Sequence, residues 1–173
     1  MAPLNSKTVT LARGRHRSPR DGVCVMELAS MIAGEAFTDQ PVTVSPTVAA
    51  FLRAYNDAAT EEQRQRLYGY AAESLGTRNT RALERRRARM CLRWLERIDP
   101  RPAPLARRLR LAVALIRPEL VAASLGRRAS HADATTGRDE CLRMVDVLIA
   151  VTARRSPPVR VRAPVGALPT GRR

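Results

Sequence analysis

Aromatic side chains are scarce in this chain: Phe37, Phe51, Tyr55, Tyr68, Tyr70 and Trp94 are all there are among 173 residues. A core must therefore be built from Leu, Val, Ile, Ala and Met, and that composition favours helices packed on helices over a sheet. Lysine is almost missing too, with Lys7 alone among 31 basic residues. Such a wholesale use of Arg weakens any conclusion drawn from Arg counts by themselves. Cysteine is too sparse for a disulfide framework or a zinc site: Cys24, Cys91 and Cys141 are far apart, odd in number, and form no Cys-x-x-Cys. They read as three reduced thiols, mostly buried, in a reducing compartment. The longest unbroken apolar run, Leu111 to Ile116, falls far short of a bilayer span. No apolar segment of secretory type stands at the start. The expectation is a cytoplasmic protein with no membrane insertion.

Positive charge is what the chain has in excess, +15 in formal terms, and it is unevenly placed. Residues 1–20 carry Lys7, Arg13, Arg15, Arg17 and Arg20 without an acid. Residues 154–173 carry Arg154, Arg155, Arg160, Arg162, Arg172 and Arg173, again without an acid. The 133 residues between them hold 20 Arg against 16 acids. Polar, basic ends punctuated by proline bury too little to fold, so 1–21 reads as a disordered basic arm and 154–173 as a disordered Pro/Arg-rich tail. The domain is then 22–153, large enough for one core without staples.

Within it the apolar spacing predicts an all-α fold, a single irregular bundle of six or seven short helices. The first spans about 22–34, with Gly34 as its stop. Ala36–Pro46 reads as an extended connection, and Ser45-Pro46 as a cap followed by proline at the first helical position. Val48, Phe51, Leu52 and Tyr55 then form one stripe of a second helix. Thr60–Gln63 fits a capping box opening a third helix that runs to Gly76. A fourth extends from about Thr80 to Asp99, with Leu83, Met90, Cys91, Trp94, Leu95 and Ile98 on its apolar face. A fifth covers about 105–116, Pro118 interrupts it, and a short helix continues to Leu125. Residues 126–137, with two glycines and a polar run, read as a loop, and 138–153 as the last helix, supported by an Asp139–Arg143 pair.

The segment Val23–Glu35, VCVMELASMIAGE, has no polar face when wound into a helix. Helices that are apolar all round are buried, which would put the Glu27 carboxylate inside the core. The block Cys24-x-Met26-Glu27, Ala33-Gly34-Glu35 and Phe37-Thr38-Asp39-x-Pro41 resembles a small uncharacterised family of actinobacterial and actinophage proteins. That likeness covers about residues 23–57. It implies a source and a grouping, and brings no activity with it.

Glu27 and Glu35 lie two turns apart on nearly one side, about 12 Å along the axis, and Asp39 can fold back through the Gly34 turn. Three carboxylates beside Cys24 would suit a hard divalent cation or acid/base chemistry. The spacing only generically resembles that of helical nucleoside-triphosphate pyrophosphatases. Glu27, Glu35, Asp39 and Cys24 are thus the catalytic candidates, with no cofactor and no metal assigned. The simpler alternative is a buried ion pair, with Arg53 or Arg87 as the partner of Glu27 and Asp39 capping the connection. His16 and His131 sit in loop-like sequence, so a Ser/His or Cys/His arrangement has no support.

In the fourth helix Arg81, Arg85, Arg89, Arg93 and Arg97 recur every four residues with Arg86 beside them, a ridge that winds slowly round it. Arg78 to Arg110 holds twelve Arg against three acids, whereas 21–63 holds Arg53 against seven acids. The ridge suits phosphates, or an acidic surface. No helix-turn-helix signature accompanies it. The Arg107–Arg110 cluster running into Leu-Ala-Val-Ala-Leu-Ile would suit an anionic membrane surface, but reads first as a core helix with a snorkelling first turn. The leading expectation is a non-enzymatic helical interaction or regulatory protein holding an acidic partner through the ridge. The alternatives are a non-specific nucleic-acid-binding accessory protein and a carboxylate-metal hydrolase on Glu27, Glu35 and Asp39.

Overall fold

The computed structural model describes residues 9–98, 104–136 and 139–153. The 1–8 part of the basic arm, the prolines at 100 and 102, and the 154–173 tail lie outside the described residues. The fold is all-α. Among the described residues eight helices follow in order: α1 (Val25–Ile32), α2 (Pro46–Ala58), α3 (Glu61–Gln65), α4 (Tyr68–Glu73), α5 (Arg81–Ile98), α6 (Pro104–Ile116), α7 (Pro118–Thr136) and α8 (Met144–Ala153). None of them is long and apolar enough to cross a membrane.

The bundle is organised around α2, which buries Thr47 to Leu52 and Ala54 to Asn56. Ser45 caps it, its Oγ accepting from the Val48 N–H (3.3 Å), and Pro46 occupies the first turn. Phe51 and Tyr55 are fully buried and stack with ring centroids 6.2 Å apart. The most extensive packing is of α2 on α7. Residues 126–136, expected as a loop, are in fact the second half of α7. Packing against α2 overrides the poor helix propensity of Gly126, where a Cβ would stand 2.4 Å from the Phe51 carbonyl oxygen. The glycine is in the helix because two backbones touch, which composition reads as a break.

Three further corrections follow from tertiary contacts. The third helix divides into α3 and α4, with i→i−3 bonds from the N–H groups of Arg66 and Leu67 closing the turn between them. Arg64 just before this turn points inward, its guanidinium donating to the carbonyls of Asn56 (3.0 Å) and Ala59 (2.8 Å) at the end of α2. At the start of the last segment, Asp139 pairs with Arg66 at 2.7 Å instead of Arg143, and regular helix begins only at Met144.

The third correction concerns the basic arm, which is folded from residue 9. Leu11 is 1 % exposed and pairs with Val23 in an isolated parallel bridge. Its backbone is satisfied by side chains. Gln65 accepts from the Leu11 N–H and donates to the Leu11 carbonyl, both at 3.0 Å. Asn56 donates to the Ala12 carbonyl (2.9 Å), and Asp57 accepts from the Gly14 N–H (2.9 Å). A buried leucine and these side-chain hydrogen bonds help hold a segment whose composition reads as disordered.

Candidate functional site

Every residue of α1 from Val25 to Ser30 is buried, and Glu27 is at 0 % exposure. Its partner is neither Arg53 nor Arg87. One carboxylate oxygen accepts the His16 N–H at 2.6 Å, and the other accepts the Cys24 N–H and His16 Nδ1–H, each at 2.8 Å. Burial raises the carboxyl pKa, but the backbone donors of Cys24 and His16 and the His16 ring outweigh it and hold the group below its ordinary value. The same Cys24 closes a capping box, its Sγ accepting from the Glu27 N–H at 3.4 Å. Burial pushes the Cys24 thiol up to about 12. Its geometry is that of a helix cap.

This centre is the clasp that holds the arm to α1. Nothing in the sequence marks His16 as the partner, because it stands eleven residues before Glu27 in a stretch with no periodicity. The one usable signal was a buried acid in need of donors.

The other two carboxylates point elsewhere. Glu35 accepts from the N–H groups of Val42 (2.6 Å) and Thr43 (3.1 Å) and from the Thr43 hydroxyl (2.8 Å), closing the turn before α2. Slight desolvation raises its pKa, while Thr43, Val42 and the Arg78 charge pull it below the usual carboxylate range. Asp39 lies between Arg15 (3.5 Å) and Arg53 (3.8 Å). Arg53 also donates to the Asp39 carbonyl. Glu27, Glu35 and Asp39 thus face three different sets of partners. Among the described residues no three His, Cys, Asp or Glu side chains are grouped to hold a metal ion.

Arg87, the other expected partner of Glu27, belongs to a second buried centre. It is at 0 % exposure and bonds the Glu84 carboxylate (2.7 Å) and the carbonyls of Thr77 and Leu148 (both 3.0 Å). Glu84 in turn accepts from the Ser45 hydroxyl (2.6 Å) and the Thr47 N–H (3.2 Å) at the start of α2. This network pins α5 to the N-terminus of α2 and to α8. The sequence points to Arg87 as an inward cation but pairs it with Glu27; Glu84 carries no such signal, since exposed charges of the same kind surround it.

The ridge itself is on the outside. Arg81, Arg85, Arg86, Arg89, Arg93 and Arg97 are all exposed. Arg85 donates to the Leu115 carbonyl at 3.0 Å, capping the end of α6. Among the described residues no carboxylate pairs with Arg81, Arg86, Arg89, Arg93 or Arg97. Beside the ridge, α6 departs from the expected core helix: Ala114 is buried, but Leu109, Leu111, Leu115 and Ile116 are 64, 49, 42 and 75 % exposed. Leu120 at the start of α7 is 52 % exposed. Between the start of α5 and the α6–α7 junction lies a groove of about 630 Å³, lined by Arg78, Arg81, Arg85, Leu115, Ile116 and Arg117 among others. Isolated exposed leucines are ordinary; here Leu115 and Ile116 line a groove whose arginines outnumber its two acids, Glu84 and Glu119, and an apolar group in such a setting marks a contact surface.

No protein-family model matches this chain, and no curated protein or solved structure matches it either.

Proposed function

We propose that this chain is a helical interaction module that receives an acidic, amphipathic segment of a partner protein along α5 and α6. One observation carries the reading: exposed arginines with no carboxylate partner among the described residues stand beside the exposed leucines and Ile116 of α6. Acidic side chains would meet the ridge, and apolar ones would cover α6 and enter the groove at its end. A nucleic acid would use the ridge but leave the leucines uncovered, so the apolar residues favour a protein. The three free thiols fit a reducing, cytoplasmic setting for such a partner.

The test is fluorescence anisotropy on the full chain with three labelled probes: an amphipathic Glu/Leu helical peptide, polyglutamate, and a short DNA duplex of mixed sequence. The Glu/Leu peptide is expected to bind at least about tenfold more tightly than polyglutamate, a difference of about 1.4 kcal/mol. Replacing Arg86, Arg89 and Arg93 together by Glu should abolish it; Arg85 is spared because it caps α6. Tighter binding of DNA than of the peptide, with a steep loss as salt rises, would replace this reading with a nucleic-acid one.

A further inference from the structure

A cavity of about 240 Å³ opens beside the Glu27 clasp, and neither the clasp nor the ridge uses it. Five segments meet around it. The docked arm brings Arg15, the cap of α1 brings Cys24, the connection before α2 brings Asp39, α2 brings Arg53 and Asp57, and α7 brings Arg127. Alanines of α2 and α7 complete the lining.

Two of these side chains are left with unused capacity. The Asp39 carboxylate is 13 % exposed, yet its ion pairs with Arg15 and Arg53 are long, 3.5 and 3.8 Å, against 2.7 Å for Arg87–Glu84. Its Oδ1 is buried and accepts no hydrogen bond from any described group. Such an oxygen calls for a donor that a ligand or water supplies. On the α7 side, no described carboxylate pairs with the Arg127 guanidinium. Asp57, by contrast, is already engaged by the Gly14 N–H at 2.9 Å and by Asn56 at 3.1 Å. An open acceptor and an open planar donor therefore face one small space.

We infer that this cavity binds a small amino-carboxylate, its ammonium on Asp39 and its carboxylate on Arg127 with Arg15. Size sets the class. At about 30 Å³ per water the cavity holds on the order of eight heavy atoms, the scale of a simple amino acid. Charge sets the orientation: Arg presents a fork that matches a carboxylate, and the unsatisfied Asp39 oxygen accepts from an ammonium. A simple anion would leave the Asp39 Oδ1 without a hydrogen-bond donor, and a simple cation would leave Arg127 unanswered. This site is independent of the acidic-partner surface, since its residues lie on the arm, the connection, α2 and α7 instead of α5 and α6.

The experiment is a titration of the full-length chain followed by amide chemical shifts at constant ionic strength. Glycine, L-alanine and γ-aminobutyrate serve as zwitterionic probes, acetate and methylammonium as the two half-ligands. At least one zwitterion should saturate the shifts of Gly14, Arg15 and Ala123, binding about tenfold more tightly than either half-ligand. Arg127→Gln and Asp39→Asn should each weaken that binding by about tenfold, while Arg93→Gln on the ridge leaves it unchanged. Should Asp39→Asn fail to fold, Arg127→Gln, an exposed change, carries the test alone. Acetate binding as tightly as every zwitterion would mean a plain anion site and overturn the inference. So would indifference to Arg127→Gln, or no saturable shift with any probe, which would leave only a hydrated crevice.

Discussion

Replacing Glu27 by Gln keeps shape and volume and removes only the ability to accept at both oxygens. In the native centre one oxygen takes the His16 N–H and the other takes the Cys24 N–H and the His16 ring. An amide has one accepting end. With its oxygen on the Cys24 side, the NH2 group faces the His16 N–H, donor against donor. Flipped over, the NH2 group can give to a His16 ring that has shifted its hydrogen to Nε2, but it then confronts the Cys24 N–H. Either way one backbone N–H facing the buried residue 27 side chain loses its acceptor, and the surviving bonds lose their charge. Hydrogen bonds to charged groups contribute about 1.5–3 kcal/mol, and a buried donor left unpaired costs a similar amount, so the expected loss is about 3 kcal/mol. For a chain of this size each kcal/mol moves Tm by about 2–4 °C, so Glu27→Gln should melt about 6–12 °C lower.

The pH dependence adds a second, independent readout. Glu27 has its pKa lowered from 4.5, so the stability it contributes is complete above that value and is lost as pH falls through the folded-state pKa. Urea unfolding of the parent should show this loss on the acid side, and Glu27→Gln should flatten it. A variant within about 0.5 kcal/mol of the parent, with the same acid limb, would refute the reasoning, because that is the range of an ordinary surface change.

Other expectations follow from the same contacts. Gly126→Ala drives a Cβ to 2.4 Å from the Phe51 carbonyl and should cost about 1–3 kcal/mol or more by urea unfolding, where the same change at an ordinary helical position stabilises. Leu11→Ala removes the arm's buried anchor and should cost about 2–4 kcal/mol, with faster hydrogen exchange at the Ala12 and His16 amides than in the core of α2. Arg87→Met leaves the Glu84 carboxylate inside the protein without its cation and should cost about 3–5 kcal/mol; replacing Glu84 and Arg87 together by apolar residues should recover part of that, a non-additivity read from a double-mutant cycle.

Local signals in the chain are enough for the class of fold and for most helix starts. Scarce aromatics and long 3.6-residue periodicities require packed helices, and Ser45-Pro46 and Thr60–Gln63 announce the beginnings of α2 and α3 because a cap is satisfied within four residues of itself. The burial of Glu27 was legible for the same reason, since a helix without a polar face has nowhere to expose it. The exposed Arg ridge was legible as well. What surrounds these features was not. His16 meets Glu27, Arg87 meets the carbonyls of Thr77 and Leu148, and Asp39 meets Arg15 and Arg53 only once distant segments have docked. Gly126 is indistinguishable from a helix breaker until Phe51 is placed against it. Whether α6 is core or surface depends on how many neighbours cover it, and periodicity alone does not count neighbours. Propensity, caps and hydrophobic stripes act within a few residues and so can be read along the chain; the partners of buried charges and the openness of an apolar face are set by contacts between segments, which only the packed structure decides.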